Sequence, residues 1–154
     1  MNQTQFSIRP AVAGDMDAIR WLVKTGRINP TGLDWRRFVV AISHQGEVIG
    51  CGQIKPHRDG SQELASIVVH PDWRERGVAR SLITHLCAAH PGDLYLMCRA
   101  ELGPMYEKFG FRRLVPEEMP RYFQRISRLA GLLEVLRSEG VRLLVMKRDG
   151  GGGP

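Results

Sequence analysis

The sequence predicts a single α+β domain in which helices flank a central, mostly antiparallel sheet. Three observations lead there. Strand-like runs separated by Gly, Pro or Asp recur between residues 6 and 70, the first of them alternating apolar and polar. Residues 78–90 and 120–138 instead space their apolar side chains three and four apart, the period of a helix. No internal repeat and no linker divides the chain.

Phe6, Ser7, Ile8 and Arg9 alternate and meet Pro10, which predicts a short edge strand. Asp15 is placed to cap a helix whose inward positions are Met16, Ile19, Leu22 and Val23. Residues 30–35 break that pattern as a loop or short second helix. Strands follow over residues 38–43 and 47–55, joined by a tight turn at Gln45 and Gly46. Arg58, Asp59, Gly60 and Ser61 signal a hairpin. The β-branched run 63–70, closed by Pro71, completes an antiparallel meander.

The second half alternates helix and strand. Val78, Leu82, Ile83 and Leu86 share a helix face that stops near Pro91 and Gly92. Residues 94–98 read as a strand, and residues 104–109 as one or two helical turns closed by Gly110. Residues 111–115 form another candidate strand. Tyr122, Phe123, Ile126, Leu129, Leu132, Leu133 and Leu136 mark a long amphipathic helix ended by Gly140, and residues 141–147 make the last strand. The domain is expected over residues 1–148, with residues 149–154 as a flexible Gly-rich tail.

Composition narrows the class. With 154 residues, 25% charged and 43% hydrophobic, the chain suits one self-sufficient core. No apolar run approaches the roughly 20 residues of a membrane span, and residues 1–5 lack the layout of a secretory signal. Cys51, Cys87 and Cys98 sit in apolar stretches and read as reduced core thiols of a cytoplasmic protein. A net charge of +6 leaves nucleic acid, an acidic partner or a phosphate-rich cofactor open.

The most informative segment runs from Ile67, Val68 and Val69 through His70 and Pro71 to Arg80. A strand runs out, the chain turns, and a helix begins within Arg74-Glu75-Arg76-Gly77-Val78-Ala79. Backbone amides at such a helix start have no intrahelical acceptor, and the helix dipole adds positive potential. Together they form a cradle for an anion such as a pyrophosphate. Gly77 and Ala79 keep side chains away from it, while Arg74, Arg76 and Arg80 add charge. The plainer reading is an ordinary strand-to-helix turn with a solvated basic face.

This segment resembles the GNAT (GCN5-related N-acetyltransferase) family, whose hallmark is a strand, Gln/Arg-x-x-Gly-x-Gly/Ala and a helix. Ala79 here takes the place of the commoner glycine. Met105-Tyr106-Glu107-Lys108-Phe109-Gly110-Phe111 is similar to the family's Leu-Tyr-x-x-x-Gly-Phe block. The element order also agrees, from residue 6 to residue 147. The resemblance implies a GNAT-like fold and acetyl-CoA as co-substrate, lying where the fourth and fifth strands splay apart. It implies that Ile67, Val68 and Val69 pair with the pantetheine arm and offer an amide to the oxyanion. The amides of Glu75 to Arg80 would hold the pyrophosphate, so side-chain identity at Glu75 or Val78 is expected to be free to vary.

By the same resemblance Tyr106 is the candidate general acid for the departing thiolate, its plainer role being to pack the short helix. A phenol with a pKa near 10 stays protonated at pH 7 and can donate. Glu63 lies thirteen residues before Arg76, the spacing of the catalytic glutamate in the histone-acetylating branch, and shares strand parity with Ala65, Ile67 and Val69. It is the candidate base for the incoming ammonium; a strand-entry carboxylate, or a water chain doing the same work, are the other readings. The fifth-strand glutamate of another branch is replaced by Leu94, and the usual Asn seven residues before the tyrosine by Arg99. His57 and His70 are expected to be structural, Cys98 to pack in the core, and no metal site is expected.

The expected activity is acetyl transfer to a primary amine by direct attack, since no Ser or Cys stands in a nucleophile context. Arg36, Arg37 and Arg99 favour an acceptor carrying a carboxylate, such as an amino acid, and the helix over residues 120–138 is placed to wall off its pocket. The partner is thus a small-molecule amine rather than nucleic acid or membrane, and a homodimer is compatible with the chain. A protein N-terminal or lysine acetyltransferase is the alternative enzyme. An acyl-CoA-binding regulator without catalysis is the alternative of another class.

Overall fold

The computed structural model describes residues 5–136 and 142–151, with side chains along the last helix up to Leu129. Among the described residues, seven strands and four helices appear in the order β1 (Phe6–Pro10), α1 (Met16–Thr25), β2 (Phe38–Ser43), β3 (Val48–Pro56), β4 (Gln62–Val69), α2 (Val78–Ala89), β5 (Leu94–Arg99), α3 (Gly103–Glu107), β6 (Arg112–Arg113), α4 (Arg121–Leu136) and β7 (Leu143–Arg148). The sheet order is β1-β2-β3-β4-β5-β7-β6. Its ladders β1–β2, β2–β3, β5–β7 and β6–β7 are antiparallel, and β4 meets β5 in parallel at Glu63 opposite Tyr95. The expected α+β class with a mostly antiparallel sheet is the one observed.

Within this domain the chain forms two compact units, residues 1–55 with 64–89 and residues 56–63 with 90–154. In the first, Ile19, Leu22 and Val23 of α1 pack with Phe38, Val40, Cys51 and Val68. Successive strand residues point to opposite faces. Cys51 therefore serves the α1 side while its neighbours Gly50 and Gly52 serve the α2 side. A Cβ on Gly50 would stand 3.0 Å from Val78 Cγ1, and one on Gly52 only 2.6 Å from Ile67 Cδ1 and 3.0 Å from Leu86 Cδ1. These glycines let α2 lie close on β3.

Asp15 stands where a helix cap was expected, but its carboxylate does not bond a helix amide. It accepts the Val12 N–H at 2.8 Å and a two-pronged ion pair from Arg9 at 2.8 and 3.1 Å. The loop after α1 ends in a 3-10 turn, Trp35–Arg37, capped by the Asp34 side chain.

In the second unit, Phe123 of α4 is fully buried with Leu114 and Val145, flanked by Tyr95, Met97, Met119 and Tyr122. The strand expected over residues 111–115 shrinks to Arg112–Arg113. The Val115 N–H goes to the Glu118 carboxylate instead of a neighbouring strand, turning the chain into the 3-10 turn Pro116–Glu118. Gly150 and Gly151, expected to be loose, donate to Asp93 Oδ1 at 2.7 Å and to the Pro91 carbonyl at 3.1 Å. Ser138, Gly140, Val141, Gly152 and Gly153 lie outside the described residues. Among those described, no helix is long and apolar enough to cross a membrane.

Candidate active site

Beyond β4, His70 caps the 3-10 turn Pro71–Trp73, its Nδ1 accepting the Asp72 N–H at 3.0 Å. Its ring stacks on Trp21 with centroids 5.2 Å apart, a structural role as expected. The chain then takes two left-handed steps, Glu75 at φ +62° and Gly77 at φ +81°. The Gly77 carbonyl accepts the Ser81 N–H at 3.1 Å, so α2 starts there. The amides of Val78, Ala79 and Arg80 therefore fall in the first turn, without intrahelical acceptors. Nothing stands within 4 Å of where a Gly77 Cβ would be. Left-handed backbone steps, open space and a twelve-residue helix behind them fit a pyrophosphate.

Arg74 and Arg80 are exposed beside this turn. The Arg76 guanidinium instead lies 4.8 Å over the Trp73 ring and donates to Gln5 Oε1 at 3.3 Å. The expectation that Glu75 and Val78 vary freely is corrected. Val78 is 1% exposed against the Gly50 backbone, and Glu75 holds a backbone conformation that β-branched residues resist.

In β4, Val68 is buried against α1, whereas Ile67 and Val69 are half-buried. Between them and Glu63 stands Ser66 at φ +59°. That residue interrupts the two-residue alternation on which the shared parity of Glu63 with Ile67 and Val69 depends. The Ser66 carbonyl accepts the Cys51 thiol at 3.4 Å and its Oγ accepts the Gln53 amide at 2.9 Å.

In the second unit, Glu63 Oε1 is 2.7 Å from His57 Nε2, with both side chains largely buried. Tyr122 stacks on the imidazole, centroids 3.6 Å apart, and Phe123 meets it edge-on at 5.7 Å. The Tyr122 backbone N–H donates to Asp59 Oδ2 at 3.0 Å, tying α4 to the hairpin. Burial, then the charge of Glu63, raises the Tyr122 phenol above its ordinary pKa. Asp59 loses solvation, yet hydrogen bonds from Ser61 and Tyr122 and the nearby His57 hold its carboxyl below the usual range. Tyr106 is 8% exposed on α3, its ring edge-on to Phe111 at 6.0 Å. Gly110, at φ +91°, closes that block.

A family profile described as "Acetyltransferase (GNAT) domain" matches residues 34–113, just over half of the chain. The chain belongs to the GNAT acetyltransferase family. The description of that family names acetyl transfer. Among curated proteins, none matches the sequence.

Solved structures similar to this GNAT domain share its fold. N-acetylglutamate synthase from Neisseria gonorrhoeae, complexed with coenzyme A and N-acetyl-glutamate, is 19% identical with a TM-score of 0.73, over 96% of this chain and 35% of that one. The chain thus spans about a third of that protein's length. A Mycobacterium tuberculosis protein in complex with CoA is 17% identical, TM-score 0.70, over 93% of this chain and 98% of that one. The ribosomal-protein-S18-alanine N-acetyltransferase from Escherichia coli is 17% identical, TM-score 0.66, over 97% and 96% of the two chains.

Within the GNAT frame, the second unit joins Glu63 to a residue the sequence had set aside as structural. His57 lies six positions earlier, and the hairpin signal at residues 58–61 is what brings the two together. Leu94 is 1% exposed, and Arg99 is exposed at the end of β5. Arg36 is engaged by Asp34 at 3.3 Å and by the Trp35 ring at 4.8 Å. Cys98 packs on Met146, Sγ to Sδ 3.9 Å, with burial raising its thiol pKa to about 11. Burial raises that of Cys51 to about 12.

Proposed function

We propose that this domain acetylates the primary amine of a small molecule, such as an amino acid, by direct attack on the acetyl group. The observation that carries the reading is the left-handed turn at Glu75 and Gly77 opening onto the first amides of α2. When bound there, acetyl-CoA supplies an activated thioester.

The amides from Glu75 to Arg80 hold the pyrophosphate, and Arg74 and Arg80 add positive potential. The backbone of Ile67, Val68 and Val69 pairs with the pantetheine arm and presents an N–H where negative charge develops on the acetyl oxygen. Glu63 takes a proton from the acceptor ammonium, whose pKa, near 10.4 for an amine of lysine type, would otherwise keep it unreactive at pH 7. Tyr106 gives its proton to the leaving sulfur. The Cys51 and Cys98 thiols are held protonated by burial, which favours direct attack over a cysteine-bound acetyl. The buried cysteines also suit a cytoplasmic setting.

Tyr122, in the first turn of α4, stacks on the imidazole of the His57–Glu63 pair. N-acetylglutamate synthase, a name that denotes an amino-acid acetylating enzyme, is among the similar structures. The Escherichia coli S18-alanine enzyme is the observation behind the second reading, a protein N-terminus as acceptor.

The test offers purified protein acetyl-CoA and a panel of amines at one pH, with free thiol detected. Amino acids and small amines are expected to stimulate thiol release more than N-terminal or lysine peptides. Preference for peptides would turn the reading to the protein acceptor. Tight acetyl-CoA binding with no acceptor-stimulated thiol would leave only a binding module.

A further inference from the structure

We infer that His57 is a positioning residue for the reaction, acting through Glu63, and that Tyr122 holds its ring for that purpose. The inference rests on the reading of Glu63 as base and deepens it.

Three features of the hairpin region support it. His57 Nε2 and Glu63 Oε1 stand 2.7 Å apart, and between a neutral imidazole and an ionised carboxylate the ring N–H is the donor. Such a charge-assisted bond fixes the carboxylate in one rotamer and favours its ionised form, the form that takes a proton. The ring itself cannot swing away, because Tyr122 lies parallel to it at 3.6 Å and 18°, with Phe123 against its edge. The His57 backbone is fixed as well, its N–H donating to the Ser61 carbonyl at 2.9 Å.

The groups facing the imidazole are Glu63 from β4, Asp59 from the hairpin, and Tyr122 and Phe123 from α4. Two of these are carboxylates, and Glu63 is the one that meets the ring at Nε2. A histidine in this position, unlike a bare strand-entry carboxylate, makes Glu63 a preorganised acceptor in partly desolvated surroundings. His57 keeps its ring N–H on Glu63 and takes no proton from the acceptor. The acceptor ammonium loses its proton to the Glu63 carboxylate, which becomes the acid and later releases that proton to solvent.

Two substitutions separate donor from packing. His57→Phe keeps the aromatic stack on Tyr122 but removes the donor. His57→Gln loses the ring but places an amide N–H where Nε2 stands. Across a pH profile of kcat/KM for the amine, His57→Phe is expected to move the acid limb up by about one unit, roughly a tenfold loss on that limb. The upward direction follows because a carboxylate deprived of a donor is a weaker acid. His57→Gln is expected to restore the limb to near its parental place. The KM for acetyl-CoA should hold in both, as should the urea midpoint of His57→Gln. Should His57→Phe not fold, His57→Asn takes its place, since its amide reaches the Nδ1 position and misses Glu63.

An unmoved acid limb in the donor-less variant would overturn the proposal. So would a limb displaced equally by Phe and Gln, which marks packing alone. Glu63→Gln tells the two readings apart. If it turns over like the parent, Glu63 is not the base and His57 has nothing to position. If it loses turnover while His57→Phe keeps the parental limb, the base stands and only the role of His57 falls.

Discussion

The side-chain amide of Gln53 donates to Ser66 Oγ at 2.9 Å and to the Gly32 carbonyl at 3.3 Å. Gln53 is fully buried, and the bond holds β4 in a left-handed step just before the strand segment assigned to the pantetheine arm. Ser66→Ala removes the hydroxyl and should cost about 1 kcal/mol of stability. Ser66→Val adds a β-branched side chain at φ +59°, and should cost about 1–2 kcal/mol more. Urea unfolding of the two variants checks the order. The valine variant should also show the larger rise in KM for acetyl-CoA.

Gly77→Ala isolates conformation from crowding. No atom lies within 4 Å of the new methyl, yet the residue must hold φ +81°. A stability loss of about 1 kcal/mol is expected, together with weaker acetyl-CoA binding by calorimetry. Unaltered affinity would mean that the turn does not hold the pyrophosphate.

The Arg9–Asp15 pair should appear in acid. The hydrogen bond from Arg9 leads, against burial, in holding the Asp15 carboxyl below the ordinary aspartate range, with the Val12 amide and the Arg9 charge adding to it. A depressed folded pKa contributes stability that is present above the unfolded value, near 3.9, and is lost as pH falls through the folded one. Asp15→Asn should therefore destabilise by about 1–3 kcal/mol at pH 7. That difference should shrink as pH drops below about 4, read by urea unfolding across a pH series.

Tyr106→Phe tests the acid. The ring's edge-on contact with Phe111 survives the change, so the fold should too. If the hydroxyl donates to the leaving sulfur, kcat should fall by roughly 10²–10⁴, with the KM for acetyl-CoA little moved. A parental kcat would reduce Tyr106 to a packing residue.

Much of the fold was legible because local patterns carry it. The bounds of β2 and α2 follow from an apolar run before a turn signal and from helical spacing, and Gly110 ends its block through the left-handed turn that glycine admits. Legibility failed where a polar side chain chose a partner outside its own element. Asp15 turned to Arg9 and Val12 rather than to α1, and Glu118 took the Val115 amide and cut β6 short.

Sequence alone was enough for the class of fold and for the turn proposed to hold an anion, since the Arg74 to Arg80 motif would act through backbone amides and needs only local conformation. Tertiary structure decided how the chemistry-bearing side chains are used. Counting along β4 could not see the left-handed step at Ser66, and spacing could not see α4 bringing Tyr122 onto His57. Those outcomes depend on desolvation and contacts between residues as far apart as Asp59 and Tyr122, energies that exist only once the chain has closed around them.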